Sequence, residues 1–593
     1  MRFRALFSLF FAVSCLQVSA QLRVATWNIS SYSGGRVSDI QTAVFDSFQA
    51  RAMNPDIILT QEIMSVGAMN AFLGALNTAL GTSGTWQAGP FINGNDTDGA
   101  IFYRFDRIIL EATTVISTGG GAPLPPRDTV RYDVRLRGYI GNGPKVALYN
   151  SHMKSGATSL DESRRLAEAF AIRTNAQNLG SSFSGFAVAG DFNTPTSTDD
   201  GYDKLVGNET NNAGRFFDPI STPGSWNNNS FFRFVHTQDP SGAAGMDSRF
   251  DFILLSDTLV NNQGFDYIGS FGVPYSTTNW NDPNHSYRAW GNDGTSYGVP
   301  LTTTGNAMVG SAIAQAIKNA ATTAGGHIPV FLDLRAPAEL GVSNLSLDFG
   351  NVVQGTPATL PLTVSNSVDT LIWRTGIANL LYSFGVSAGF GAPGGSFSDS
   401  PGGSGNTHQI SVETTTLGPK SGTLTVVAED NQAIPLSANV IPDAIAPSAM
   451  TVTVATHSGG LIELATSNDQ RVVWQNSNWA NGGRFTPVVL VELTSTSSLQ
   501  TPSSLTFELE ANAAGSFVQK VELFDYDLGQ YVTLSSTNST PLDSTAIAVA
   551  PNAPRYVQAG TKQMRAQISY TPFAWTMGRT LSGGIDRAVW KPR

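Results

Sequence analysis

The stretch Phe186-Ala187-Val188-Ala189-Gly190-Asp191-Phe192-Asn193-Thr194-Pro195 decides how the first half of this chain is read. A short apolar run ended by glycine, with proline soon after, predicts a buried strand that runs out into a loop. Side chains alternate between the faces of a strand, so Asp191 and Asn193 point one way while Phe192 turns into the core. A proton acceptor and an amide then stand side by side at a strand end. Gly-Asp-x-Asn is also ordinary turn chemistry, and the motif gains meaning only from its company.

That company is a series of hydrophobic runs that begin or end on a polar residue. Leu22 to Trp27 predicts a strand ending at Asn28, and Asp56 to Thr60 a second one ending at Gln61-Glu62. A helical pattern over Asp39 to Ala52 separates them. Further strands are predicted at Gly99 to Arg104, Val130 to Arg137 and Lys145 to Asn150, the last leading into Ser151-His152. Ser159 and Glu162 form a capping-box pair for a helix reaching about Gln177, with Leu166, Ala169 and Phe170 on its apolar stripe. Beyond the opening stretch come a long loop over Asn208 to Met246, a strand Arg249 to Leu255, a helix around Ala307 to Thr322, and a last strand entered through His327-Ile328-Pro329-Val330. Ligands of layered α/β proteins collect outside strand ends, so Asn28, Glu62, His152, Asp191, Asn193, Asp251 and His327 are candidates for one site. Each has a plain alternative: the asparagines as turn caps, Glu62 as a solvated acid, the histidines as satisfied core residues.

The ordered set Trp27-Asn28, Gln61-Glu62, Ser151-His152, Gly190-Asp191-Phe192-Asn193, Arg249-Phe250-Asp251-Phe252-Ile253-Leu254 and His327-Ile328-Pro329-Val330 resembles the endonuclease/exonuclease/phosphatase family. The resemblance spans roughly residues 21–335. It implies an α/β four-layer sandwich that hydrolyses a phosphoester with a divalent metal, Mg2+ or else Mn2+ or Ca2+, at one ion per site. Carried over residue by residue, Glu62 is the main metal ligand with Asn28 beside it, and Asp191 activates the attacking water with help from Asn193. His327 binds the phosphoryl oxygens while Asp251 fixes its tautomer, and His152 contacts the scissile phosphate. Two departures stand out. Ser30 and Gly326 occupy positions where relatives carry acids, which favours one metal and leaves a degenerate, weakly active domain as an alternative.

Substrate is less legible. Nucleic acid is the first expectation, with a phospholipid or small phosphoester next and a surface-binding protein third. Lys154, Arg104, Arg107, Arg127 and Arg131 are expected to supply local positive charge, since the chain as a whole carries a formal net charge of −10 and has no basic tail. In the Asn- and aromatic-rich loop, Trp226 and the asparagines are set aside as substrate contacts, together with Lys154, and the other rings as packing.

Composition places this domain in a larger chain. Over 593 residues only 13% are charged, against roughly 25% in ordinary globular domains, which favours β-rich, loop-rich modules. Arg2 and Arg4, the apolar run Ala5 to Val13 and Val18-Ser19-Ala20 read as a signal peptide over residues 1–20, giving a secreted, periplasmic or cell-surface protein with no transmembrane segment. Cys15, the only cysteine, falls inside it. After the catalytic region 21–335 and a linker at Ala336-Pro337-Ala338-Glu339, two all-β sandwich domains are expected. The first, 340–441, resembles immunoglobulin-like modules and carries a mobile Gly/Ser-rich excursion from Gly391 to Asn406. The second, 448–593, is read as a β-sandwich for which a jelly roll is one candidate form, with Trp474, Trp479, Trp575 and Trp590 assigned to core. Neither shows clustered His, Asp or Glu in sequence, so both are assigned to spacing or to attachment at a cell surface or glycan.

Overall fold

The structure, a computed structural model, describes residues 21–593 except 83, 243, 323–324, 374–375, 478–485 and 574–579. The expected signal peptide with Cys15, and also Trp479 and Trp575, lie outside the described residues.

Two sheets form the N-terminal region. Nearly every residue of their central strands is buried because both faces are covered, which is why these strands read as continuous apolar runs. The strands are β1 (Leu22–Tyr32), β2 (Ile57–Ile63), β3 (Trp86–Ala88), β4 (Asp98–Arg104), β5 (Ile108–Ser117), β6 (Thr129–Leu136), β7 (Lys145–His152), β8 (Gly185–Asp191), β9 (Phe216–Phe217), β10 (Asp251–Ser256), β11 (Asp266–Tyr267), β12 (Arg288–Ala289) and β13 (Val330–Arg335). The first sheet runs β11-β13-β1-β2-β4-β3, with β12 beside β13; the second runs β5-β6-β7-β8-β10-β9. Helices α1 (Val37–Phe45), α2 (Val66–Thr78), α3 (Ser159–Gln177), α4 (Asp200–Val206) and α5 (Gly310–Ala320) complete the region. Val24, Leu59 and Ile101 of the first sheet share one core with Val134, Leu148 and Val188 of the second. The other face of the first sheet packs Ala25, Ile58 and Phe102 against Ile40 of α1, Phe72 of α2 and Ile313 of α5.

Several local expectations are corrected. β1 runs on to Tyr32 and does not stop at Asn28. The capping box of α3 lies one residue earlier, on Thr158 and Asp161, and the buried face of this helix is Arg165, Glu168, Ala169, Ile172, Arg173 and Ala176. Phe170, expected on the apolar stripe, is 56% exposed. Helix α2, capped by Ser65, was not foreseen: its run of Gly, Ala and Asn has little periodic contrast.

Residues 340–441 build a four-stranded and a five-stranded sheet, and residues 449–592 two five-stranded sheets. In the first of these regions the Gly/Ser-rich excursion is not simply a loop, since Phe397–Asp399 pairs with Leu380–Tyr382 and Asp399 accepts from the Asn366 N–H. The linker after Arg335 is pinned. Ala336 pairs with Ile377, Tyr139 Oη donates to the Pro337 carbonyl, and Glu339 accepts from the Ile140 and Gly141 N–H groups. Trp373, with Val368 and Ile377, is buried in the same core cluster as the N-terminal sheets, and its indole N–H donates to the Arg137 carbonyl at 2.6 Å. In the last region Trp474 and Trp590 are fully buried, as expected of core rings. One expectation fails there. Asp469, Asp543 and Asp586, far apart in sequence, bring carboxylate oxygens within 4.8 Å of one another because the strands after Asp469 and Asp543 join one sheet with the last strand, which carries Asp586. Arg471 bonds to two of the three. Among the described residues no helix is long and apolar enough to cross a membrane.

Candidate active site

Strand register brings the distant polar residues together. β1 and β2 are parallel with Asn28 opposite Gln61, so Asn28 and Glu62 leave the first sheet at one end. β7 and β8 are parallel with His152 opposite Asp191, and antiparallel β10 sets Asp251 on the other side of Asp191. Parity then aims them. Gln61 Nε2 donates to Asn150 Oδ1 at 2.8 Å between the sheets, so the even residues of β7, His152 included, face the first sheet, while Tyr149 and Ser151 face α3. His327 enters from the loop before β13, its carbonyl accepting from Trp27 Nε1 at 3.1 Å.

Asp191 is the hub. Its Oδ2 lies 3.4 Å from Nε2 of both His152 and His327 and accepts from Asn28 Nδ2 at 3.0 Å. Its Oδ1 accepts from the Asn193 N–H at 3.0 Å, and the Asn193 amide donates to the Met153 carbonyl, so Asn193 orients Asp191 through its backbone. Asn28 Nδ2 also donates to Glu62 Oε1 at 3.0 Å, while the Ser31 N–H donates to Glu62 Oε2 at 2.6 Å. Nδ1 of His327 sits 2.6 Å from Asp251 Oδ2. The structure thus gathers Asn28, Glu62, His152, Asp191, Asn193, Asp251 and His327 into one constellation.

Backbone conformation at this end is unusual. Ser30, Ser31, Glu62 and Asn193 all have φ between +45° and +62°, a left-handed region that costs such residues of order 1–3 kcal/mol each. Gly190, at φ +147°, is the one residue that fits its position: a Cβ there would lie 1.8 Å from the Ser151 carbonyl oxygen. It lets β8 close on β7. The two departures from the family pattern, Ser30 and Gly326, turn out to be neighbours, since a Cβ on Gly326 would lie 2.6 Å from Ser30 Oγ.

Electrostatics set the protonation states. Burial pushes Asp191 up to about 6, with the His327 cation opposing and Asp251 adding to the rise. Burial alone pulls His327 down, but Asp251 and Asp191 outweigh it and raise the imidazole to about 9. His152 is held well below the usual histidine value by burial, then by Arg127 and His327. The neutral ring has Nδ1 buried without a partner and Nε2 turned to Asp191, which fits the Nε2–H tautomer.

The expected substrate contacts fare differently. Trp226 is fully buried, edge-on to Tyr202 and Phe252 with its N–H on the Thr222 carbonyl, so it is core and not a substrate platform. Lys154 reaches Asp161 at 3.2 Å. The other cations expected to serve a polyanion are likewise paired: Arg104 with Asp106, Arg107 with Asp56, Arg127 with Asp96 and Arg131 with Asp133. Ser31 and Glu168 are the neighbours of the site that sequence reading missed; only the extension of β1 past Asn28 could have pointed to Ser31.

Residues 25–273 match the endonuclease/exonuclease/phosphatase family. The family match ends before His327, which the fold itself supplies. No curated protein sequence matches the chain. Among solved structures, the human Nocturnin catalytic domain with bound sulfate is similar at 15% identity and TM-score 0.29, over 54% of this chain and 95% of that one. Staphylococcus aureus beta toxin is similar at 13% identity and TM-score 0.31, over 53% and 99%. The Neisseria 3′ phosphatase NExo bound to a product DNA hairpin is similar at 14% identity and TM-score 0.30, over 53% and 98%.

Proposed function

We propose that this endonuclease/exonuclease/phosphatase-like region is an exported hydrolase that cleaves phosphoester bonds by water attack at phosphorus with the help of a divalent cation. The observation that carries the reading is the Asp191 hub, a buried carboxylate between two imidazoles and an amide. Glu62 fits a hard cation, because its carboxylate and those of Asp191 and Asp251 crowd against one cationic ring; Asn28 turns Nδ2 to Glu62 and Asp191 while its Oδ1 accepts from the Ser30 N–H, so it would ligate only with its amide turned over. A divalent cation held at Glu62 would supply Lewis-acid stabilisation of the developing negative charge. The remaining steps belong to the chain. Asp191, raised towards neutrality, takes the proton of the attacking water. His327, kept protonated by Asp251, donates from Nε2 to the phosphoryl oxygens. Neutral His152 donates a second hydrogen bond there. The two C-terminal pairs of sheets are read as β-sandwich modules, the first immunoglobulin-like, that hold the hydrolase in place.

Nucleic acid is the first substrate to test. A second reading, a phospholipid headgroup or small phosphoester, is favoured by the ion pairing of the five cations, which leaves none of them free to neutralise backbone phosphates. DNA, RNA, sphingomyelin and bis-p-nitrophenyl phosphate assayed side by side, with Mg2+ and with chelator, decide between them. Hydrolysis of any one that chelator abolishes supports the reading, and no turnover of all four sinks it. Glu62→Gln is expected to raise the Mg2+ concentration required, since it removes a charged ligand; unchanged metal dependence would exclude Glu62 as that ligand.

A further inference from the structure

Next to His152, under Ser151, lies a buried carboxylate that the chemistry above does not use. Glu168 of α3 is 1% exposed, accepts from Ser151 Oγ at 2.7 Å through Oε1, and has Oε2 buried with no hydrogen-bonded partner. Burial pushes its carboxyl group above the usual carboxylate range, and the Ser151 hydroxyl and the Arg127 charge work against the rise. A carboxyl group placed on the core side of a helix is expensive, and an apolar residue of similar size would stabilise α3 better if packing were its only task.

Its surroundings show what else it does. Arg127 Nη1 approaches the carbonyls of His152 and Met153 at 3.4 and 3.3 Å. Arg165, one turn before Glu168 on the same helix face, donates to the carbonyls of Lys154 and Gly156 and pairs with Asp199 at 2.6 Å. The chain from Ser151 to Gly156 is therefore gripped at its carbonyl groups and at the Ser151 hydroxyl by fixed charges. Asp199 belongs to the loop that follows Asp191, so the same grip ties the His152 segment to the Asp191 segment.

We propose that Glu168 is a positioning residue for His152, holding the end of β7 so that the imidazole meets Asp191 across the parallel β7–β8 pair. The inference rests on the phosphoesterase reading for its kinetic arm alone. Misplacement of a reacting group by about 1 Å costs on the order of 10²-fold in rate, which sets the scale of the effect.

The test compares Glu168→Leu with Glu168→Gln in the full chain, using bis-p-nitrophenyl phosphate for turnover and NMR of the histidine rings for geometry. Glu168→Leu should lower kcat by about 10- to 10²-fold with KM little changed, and should shift the His152 ring signals while leaving those of His285 and His408 in place. Glu168→Gln keeps an acceptor for Ser151 and should restore both. If Glu168→Leu does not fold, Ser151→Ala removes only the bridging hydroxyl and carries the same expectation in weaker form. A folded Glu168→Leu or Ser151→Ala variant with unmoved His152 signals overturns the proposal. The NMR arm stands even if the wild type cleaves no phosphoester, so failure of the hydrolase reading and failure of this one are separable.

Discussion

At Asp191 and His327, pH and mutation make sharp demands. An acid raised to about 6 must lose its proton to act as a base, and a histidine raised to about 9 must keep its own to bind a phosphoryl oxygen. Activity should therefore rise through about pH 6 and fall through about pH 9, a bell in kcat/KM whose limbs belong to the coupled pair. Asp251→Asn removes the negative charge that raises His327, so the basic limb should move to lower pH; a limb that stays put would remove Asp251 from that role. Asp191→Ala and His327→Ala should each leave a folded protein with turnover reduced roughly 10²–10⁴-fold. Near-normal rates in either would show the site misassigned. These residues were legible in the sequence because each ends or begins a hydrophobic run, and alternation fixes the direction of a side chain at a strand end. Trp226 was misread because an aromatic ring in an Asn-rich loop looks the same on paper whether it packs edge-on against Tyr202 or stacks on a base. The five basic residues were misread for a related reason: their partners Asp106, Asp56, Asp96, Asp133 and Asp161 are ordinary acids in sequence, and only the fold pairs them.

At the scale of elements, the parallel pairs β1–β2 and β7–β8 hold the site, and Gly190 is where that geometry is tightest. A methyl group at Gly190 meets the Ser151 carbonyl and also strains a positive φ, so Gly190→Ala should destabilise by about 3 kcal/mol, combining strain and overpacking. Thermal melts against Gly180→Ala, an exposed position with open space at its Cβ, provide the check; equal melting temperatures would mean that β7 and β8 can separate cheaply. The strands were readable from their apolar runs. Helix α3 was readable in extent and misread in orientation, because its buried face carries Arg165, Glu168 and Arg173, and a hydrophobic stripe cannot reveal a face satisfied by ion pairs and carbonyls. Short pairings such as Phe397–Asp399 have no pattern long enough to read at all.

For the molecule as a whole, the linker after Arg335 looked like a place to divide the chain, since Pro and Ala there suggest a free spacer. Trp373 changes that expectation. Its indole fills the core shared by both N-terminal sheets beside Arg107 and Gly138, so a fragment 21–335 exposes the hole it leaves. The fragment should keep the site residues yet melt well below the full chain, and Trp373→Ala in the full chain should cost about 3–5 kcal/mol. A fragment as stable as the parent would show the contact to be superficial.

The same buried indole has a consequence for how the protein comes apart. A ring from one region seated in the core of the next makes each a ligand of the other, so the loss of either withdraws stabilisation from its neighbour. Heated or pulled from its C-terminal end, residues 21–441 should give way in one concerted event and not as two beads on a string.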